Sequence, residues 1–381
     1  MAVAARQRAA AEAPVTEVRV RAFTVPTDEP ESDGTLEWDA TTIVVVELEA
    51  EGECGLGYAY GDRSVATFVD SMLRPCLYGA DAMRPAAAWL AMRRAIRNAG
   101  QQGVGAMALS AADIALWDLK ARLLGLPLAD ALPRFHEAAP IYGSGGFTSY
   151  SEEKLREQLE GWREAGLPRV KIKVGREPER DPQRLALCRE VLWEGTELMV
   201  DANGAFAPRE ALGRAEEYAA FGVSYFEEPV SSRDRRGLDF VRDRAPAGMA
   251  IAAGEYEWDL AGLGELAPNV DVIQADVTRL GGITAMLRAD GICRALQRPF
   301  SAHCAPAISA HACCAIESLV HLEYFHDHVR LERMLFDGTL DPEEGALRPN
   351  PSRPGHGLSL RHDEAERWRT ASNSSSPGEK I

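Results

Sequence analysis

The sequence predicts an α/β fold: a modified TIM barrel preceded by an α+β domain. Three observations carry that expectation. From residue 140 onward, short apolar runs alternate with amphipathic helical segments, the texture of a parallel sheet whose strands are joined by helices. Eight such runs occur over about 200 residues, which is the count and length of a barrel. Polar residues stand at the C-terminal end of one run after another, the end at which such barrels build their sites.

Taken in order, the 381 residues suffice for a large core and two domains. Residues 1–14 are Ala- and Arg-rich without apolar periodicity, and 371–381 form a Ser-rich polar tail, so disorder is expected at both ends. Alternating runs at 18–25 (VRVRAFTV) and 42–49 (TIVVVELE) predict an antiparallel pair. The stretch between them, 26–41, is rich in Pro, Asp and Gly and too long for a hairpin turn. It is expected to be a loop, serving as a lid or lying on the surface. Helical spacing recurs from 65 to 124, most clearly in MALSAADIALWDLKARLL, which stops at Gly125 with Pro127 just beyond. A first domain, a small sheet followed by helices, is thus expected at 15–138 and the barrel at 139–345. The barrel strands are IYGSGG, VKIKVG, ELMVDANG, SYFEEPV, IAAGEY, VIQADV, PFSAHC and HLEYF. A C-terminal segment, 346–370, completes the ordered chain.

Lys and Arg number 42 against 58 Asp and Glu, a net charge of −16, which argues against nucleic acid or an anionic membrane as partner. No apolar run approaches the roughly 20 residues of a membrane span, and a cytoplasmic location is expected. Seven cysteines without a CxxC pair read as reduced packing thiols rather than a disulfide or zinc scaffold.

The strand-end residues carry the chemistry. Asp201, Glu227 and Glu255 end three consecutive strands, and two carboxylates about 4 Å apart repel by about 4 kcal/mol at an effective dielectric near 20. A cation relieves them, and an all-oxygen set suits Mg²⁺ first and Mn²⁺ second. Lys171 and Lys173, two apart on a strand, share one face. If that face is the barrel interior, their mutual repulsion and the metal depress both pKa values. Lys173 then becomes the candidate base and Lys171 the partner of a substrate carboxylate. Asp276 on another strand is positioned to orient His303, fixing its tautomer. Asn203, also at a strand end, is read as a substrate contact and Glu323 closes the last strand, while Arg279 has ordinary packing as its plainer reading. The remaining histidines, His328 among them, have no such setting.

Together the motifs KIK (171–173), DAN (201–203), FEEP (226–229), GE (254–255), QADVTRLGGIT (274–284) and SAH (301–303) resemble the mandelate racemase-like branch of the enolase superfamily. SAADIALWDLKARLLGLPL (110–128) resembles that branch's helix leading into the barrel, and the likeness runs from about 18 to 360. It implies a (β/α)7β barrel with an N-terminal cap, a C-terminal segment that returns to the cap, and Mg²⁺ on Asp201, Glu227 and Glu255. It also implies an acid–base pair of Lys173 and His303 supported by Asp276, Lys171 on the substrate carboxylate, and Glu323 bonded to its enolate-side oxygen. A homo-oligomer acting on a small-molecule carboxylate follows by the same analogy.

The chemistry so implied is removal of the proton α to a carboxylate through an enediolate. Dehydration of an aldonic or aldaric acid sugar to a 2-keto-3-deoxy acid is the preferred reading, and racemisation or epimerisation of a 2-hydroxy acid is the alternative. A catalytically inactive metal-binding barrel ranks last, because both bases are present. Muconate-lactonising and dipeptide-epimerising relatives carry a Lys where this chain has Asp276, which disfavours those reactions.

Overall fold

The computed structural model describes residues 12–370. The tail expected at 371–381 and residues 1–11 therefore lie outside the described residues. Ala13 and Pro14, expected to be disordered, are held. The Ala13 amide donates to Asp81 Oδ1 at 3.1 Å, its carbonyl accepts from the Ala82 amide at 2.8 Å, and Pro14 bridges to Asp81. Their partners come from a distant loop, which local composition does not register.

The cap opens with an antiparallel sheet of β1 (Glu17–Ser32), β2 (Glu37–Ala50) and β3 (Glu53–Tyr60), in that order. The loop expected at 26–41 is mostly strand. Pairing continues through Val25↔Thr41 and Pro26↔Ala40, shifts register, and resumes at Glu31↔Trp38 and Ser32↔Glu37. Pro26 is tolerated because β1 is an edge strand, and a bulge accommodates the extra residues of β1 between Pro26 and Glu31. Pro, Asp and Gly thus mark a bulge and a tight tip here, where composition alone reads them as a loop.

That tip rests on the barrel. Asp33 Oδ1 closes it by accepting from the amides of Thr35 (2.6 Å) and Leu36 (2.7 Å), and the Thr148 amide donates to the Ser32 carbonyl at 2.9 Å. A Cβ on Gly34 would stand 2.3 Å from the Ala202 carbonyl oxygen, so only glycine permits so close an approach. Behind the sheet packs the helix Val104–Leu124, whose buried residues extend along most of its length.

The barrel comprises β4 (Ala139–Gly145), β5 (Arg169–Lys173), β6 (Glu197–Asp201), β7 (Val223–Glu227), β8 (Ala250–Ala253), β9 (Val272–Asp276), β10 (Phe300–His303) and β11 (Leu319–Phe325). Each pairs in parallel with the next, and β11 pairs with β4 through Leu322↔Ile141 and Glu323↔Tyr142, closing the cylinder. Strands covered on both sides are buried throughout, as in β9, where all five residues are buried. A small apolar cluster of Tyr142, Met199, Tyr225, Ala252 and Val272, drawn from five strands, is set apart from the main core. After the barrel, Ala346–Leu347 pairs antiparallel with β4. The chain then reaches the cap, where Thr24 N donates to the Trp368 carbonyl at 2.8 Å and Thr370 N to that of Ala22 at 2.9 Å. All seven cysteines are free thiols, and among the described residues no helix is long and apolar enough to cross a membrane.

Candidate active site

Strand register brings the polar strand ends together. Lys173 pairs with Asp201, Asp201 with Glu227, and His303 with Asp276. Glu255 follows Gly254, whose φ of +142° leaves a Cβ no room: it would lie 2.0 Å from the Gln274 carbonyl oxygen. Just past the ends of β6, β7 and β10, four non-glycine residues hold left-handed backbone: Asn203 (φ 47°), Glu228 (39°), Cys304 (50°) and Ala305 (46°). Such conformations cost about 1–3 kcal/mol each and concentrate at functional sites. Side-chain alternation would send Glu228 to the side opposite Glu227. Instead it is fully buried beside the cup, where burial and the charges of Glu255 and Asp201 hold its pKa well above the usual carboxylate range.

Two opposed halves make up the cup. On one, Lys173 Nζ donates to Asp201 Oδ2 at 2.6 Å, and Lys171 Nζ lies 2.5 Å from Glu227 Oε2 and 2.8 Å from Glu323 Oε1. Ser144 Oγ holds that same Glu323 oxygen at 2.6 Å. On the other, His303 Nδ1 is 2.8 Å from Asp276 Oδ2, while its Nε2 is 2.7 Å from Glu255 Oε2 and 3.4 Å from Glu323 Oε2. Asp276 is itself fixed by the amide and hydroxyl of Thr278, both donating to Oδ1, at 2.6 and 2.7 Å. The nine residues predicted at this site, Lys171, Lys173, Asp201, Asn203, Glu227, Glu255, Asp276, His303 and Glu323, therefore lie in one neighbourhood.

A cavity of about 470 Å³ opens between the hairpin and this cup, reached by Lys173, Asn203, Glu255, Arg279 and His303. Lys171, Asp201, Glu227 and Glu323 are set behind its lining, none more than 1 % exposed.

Protonation in the cup differs from the sequence expectation at the lysines. Their pKa values were expected to be depressed; both are raised. Burial disfavours their charge, but Glu227 and Glu323 around Lys171, and Asp201 at Lys173, outweigh it. His303 behaves likewise: burial is outweighed by Cys304, Glu255, Glu323 and Asp276, and the imidazole is held well above its ordinary range. Glu227 is pushed up to about 8 by burial and by Asp201. Burial also acts to raise Glu255, but His303 beside it holds it well below the usual carboxylate range.

The donor set fits a hard divalent cation. One carboxylate oxygen each from Asp201, Glu227 and Glu255 lies within 4.8 Å of the others. Glu227 Oε1 and Glu228 Oε1 are buried without partners. With all six carboxyl groups (Asp201, Glu227, Glu228, Glu255, Asp276, Glu323) ionised, they outnumber Lys171, Lys173, Arg279 and a charged His303 by two, and the raised pKa values of Glu227 and Glu228 reflect burial together with that excess. A dication balances that count, and oxygen-only ligands suit Mg²⁺ or a similar ion.

Other residues at the site were missed or underread. Cys304, read as a packing thiol, stands 3.3 Å from His303 Nε2 and 3.2 Å from Glu323 Oε2. His328, given no role, lines the cavity stacked on Tyr60, its pKa pushed down to about 3 by burial and by His303. Arg279, whose plainer reading was packing, also lines the cavity. It is 3.6 Å from Asp276 and packs its guanidinium over the Tyr256 ring. Only Arg279 carried a local signal, standing three residues beyond a strand-end acid.

Comparison with known proteins agrees with this fold. Residues 15–132 match the mandelate racemase / muconate lactonizing enzyme N-terminal domain, and 154–365 match the enolase C-terminal domain-like family. A mandelate racemase/muconate lactonizing enzyme-like protein from Rubrobacter xylanophilus is 64 % identical with a TM-score of 0.93, covering 94 % of this chain and 100 % of its own. The 3,6-anhydro-alpha-L-galactonate cycloisomerase of Streptomyces coelicolor is 30 % identical over 84 % of this chain and 89 % of its own. The L-talarate/galactarate dehydratase of Salmonella typhimurium, solved with Mg and L-lyxarohydroxamate, is 26 % identical with a TM-score of 0.86, covering 95 % of this chain and 94 % of its own.

Proposed function

The chain belongs to the enolase superfamily, in its mandelate racemase-like branch, and from that membership we propose that it dehydrates an acid sugar to a 2-keto-3-deoxy acid. One observation carries the reading. Lys173 and His303 stand on β5 and β10 with the Asp201, Glu227 and Glu255 set between them, Lys173 against Asp201 and His303 against Glu255. A substrate carboxylate between them meets a base on one side and an acid on the other.

In this reading Asp201, once it ligates a cation, holds the Lys173 ammonium less tightly, and Lys173 Nζ, in its neutral form, takes the proton from the carbon α to the carboxylate. The electron pair left behind is delocalised into the carboxylate as an enediolate, which collapses to the Cα–Cβ double bond as the β C–O bond breaks. The His303 imidazolium, its Nδ1 held by Asp276, gives its Nε2 proton to the departing oxygen, so that water leaves. The enol product then tautomerises to the keto acid. Asp201, Glu227 and Glu255 would hold Mg²⁺, with Mn²⁺ as substitute, which supplies positive charge to the substrate carboxylate as it becomes an enediolate. Lys171, Asn203 and Glu323 bind and orient that carboxylate.

Asp33, Asp62 and Asp327 also line the cavity, which supports a sugar with a single carboxylate, an aldonate rather than an aldarate. The likeness to a cycloisomerase keeps a second reading in view, in which the departing β-oxygen belongs to a ring and the same proton removal opens it.

Incubation with Mg²⁺ and a panel of aldonates, aldarates and their anhydro forms in deuterated water tests these readings. Keto-acid release from an open-chain aldonate is expected. Release from ring substrates alone selects cycloisomerisation, and α-deuteration without keto acid selects racemisation or epimerisation. Neither product across the panel leaves the inactive barrel.

A further inference from the structure

We propose that Asp28, Glu31 and His326 form a second divalent-cation site, separate from the three-carboxylate set, which ties the capping hairpin to the end of the last barrel strand. The register shift in β1 between Pro26 and Glu31 brings Asp28 and Glu31 into one cluster, and His326 directly follows β11. Asp28 Oδ2 lies 3.3 Å from His326 Nε2, and one ligand atom from each of the three residues lies within 4.8 Å of the others. Bulges of this kind recur beside functional sites, where they re-aim side chains.

Two acids beside a histidine make no site by themselves, but the buried atoms point to a missing partner. Glu31 is 0 % exposed; one of its oxygens accepts from Trp38 Nε1 at 2.9 Å, and the other, Oε1, has no partner. The hydroxyl of Tyr150, a residue 3 % exposed, is also buried without a partner, and Glu31 is the strongest charge acting on it. A carboxylate oxygen buried in this way costs several kcal/mol unless something positive meets it.

Nearby cations are engaged elsewhere. Arg330 is bonded to Asp327 Oδ1 at 2.7 Å and to the Pro26 carbonyl at 2.8 Å, and Lys154 lies 3.6 Å from Glu157 and 3.8 Å from Glu29. Asp327 adds further negative charge near Glu31. Two carboxylate oxygens and one imidazole nitrogen suit a first-row transition dication of the Zn²⁺ or Mn²⁺ kind. Asp28 and His326, each partly exposed, leave room for water to complete the coordination.

Trp38 links this site to the substrate. Its indole nitrogen is held by Glu31, and its ring lines the substrate cavity in edge contact with Phe147 at 5.6 Å. Filling the site fixes Glu31, and Glu31 fixes Trp38 in the cavity wall.

Equilibrium dialysis of the full chain against Mn²⁺, which both sites accept, tests the site directly. Two equivalents per chain are expected, falling to one in His326→Ala, in Glu31→Gln and in Asp201→Asn, and to none in the Glu31→Gln/Asp201→Asn double variant. His326 is partly exposed, so its variant is expected to fold, as circular dichroism will show. A wild-type stoichiometry of one, or two equivalents retained in either His326→Ala or Glu31→Gln, overturns the proposal.

Discussion

Asp276 and His303 are direct partners in the parallel pairing of β9 and β10, and that register sets the Asp276 carboxylate 2.8 Å from His303 Nδ1. The bond leaves Nε2 as the nitrogen facing Glu255 and Glu323, so orientation and tautomer are both set by backbone pairing.

Asp276→Asn keeps the shape of that contact and removes the charge that stabilises a protonated ring. Turnover is expected to fall by about 10²–10⁴-fold with a small change in KM, because the lost support acts mainly as His303 handles a proton. The alkaline limb of the kcat/KM profile reports the change: His303 must be protonated to act as the acid, and its pKa should move down, since Asp276 is among the groups that raise it. An unshifted profile with full turnover removes Asp276 from this role.

Asp201→Asn is expected to weaken Mg²⁺ affinity by about 100-fold or more, read by isothermal titration, and to abolish turnover. It also leaves the buried Lys173 ammonium without its 2.6 Å partner, a loss of about 3–5 kcal/mol for a broken buried pair. The melting temperature should therefore drop even with EDTA present, whereas chelation of the wild-type protein stops turnover without removing that pair.

Glu332, far from the metal set, makes the fold pH-sensitive. Burial pushes its carboxyl up to about 8, in a setting where the Tyr58 hydroxyl and the Ala307 amide (3.2 Å) are its partners. The native state thus keeps a proton that the unfolded chain releases near pH 4.5. Stability from this group is full below about 4.5, falls by about 1.4 kcal/mol per pH unit up to about 8, and levels off beyond. Denaturant midpoints between pH 5 and 9 should show this slope, and Glu332→Gln should flatten it. An equal slope in the variant assigns it to other groups.

Much of the site was legible because barrels concentrate chemistry at strand ends. Asp201, Glu227, Glu255, Asp276, His303 and the two lysines each close an apolar run, so pattern alone marks them. Glu228, a strand-end acid within the FEEP run, was given no role because alternation points it away from Glu227; its backbone is left-handed and its carboxyl is buried beside the cup. Cys304 and His328 sit in segments whose texture reads as core, and their roles come from neighbours brought in by β11 and the cap. The hairpin 26–41 was misread because Pro and Asp are also bulge and edge-strand residues, and strand pairing is a property of two segments.

By itself, then, the sequence determined the order of strands and helices and the set of polar residues at the strand ends, because periodicity and turn chemistry act over a few residues. The tertiary structure decided what sums over space. The hairpin tip meets the barrel at Gly34, Trp38 becomes a cavity wall, and the carboxylates around Lys171 and Lys173 raise pKa values that the lysines' own repulsion was expected to lower. The physical reason is that a buried group's charge state depends on every nearby charge. Here the carboxylates around the two ammonium groups come from strands 28 to 152 residues away along the chain.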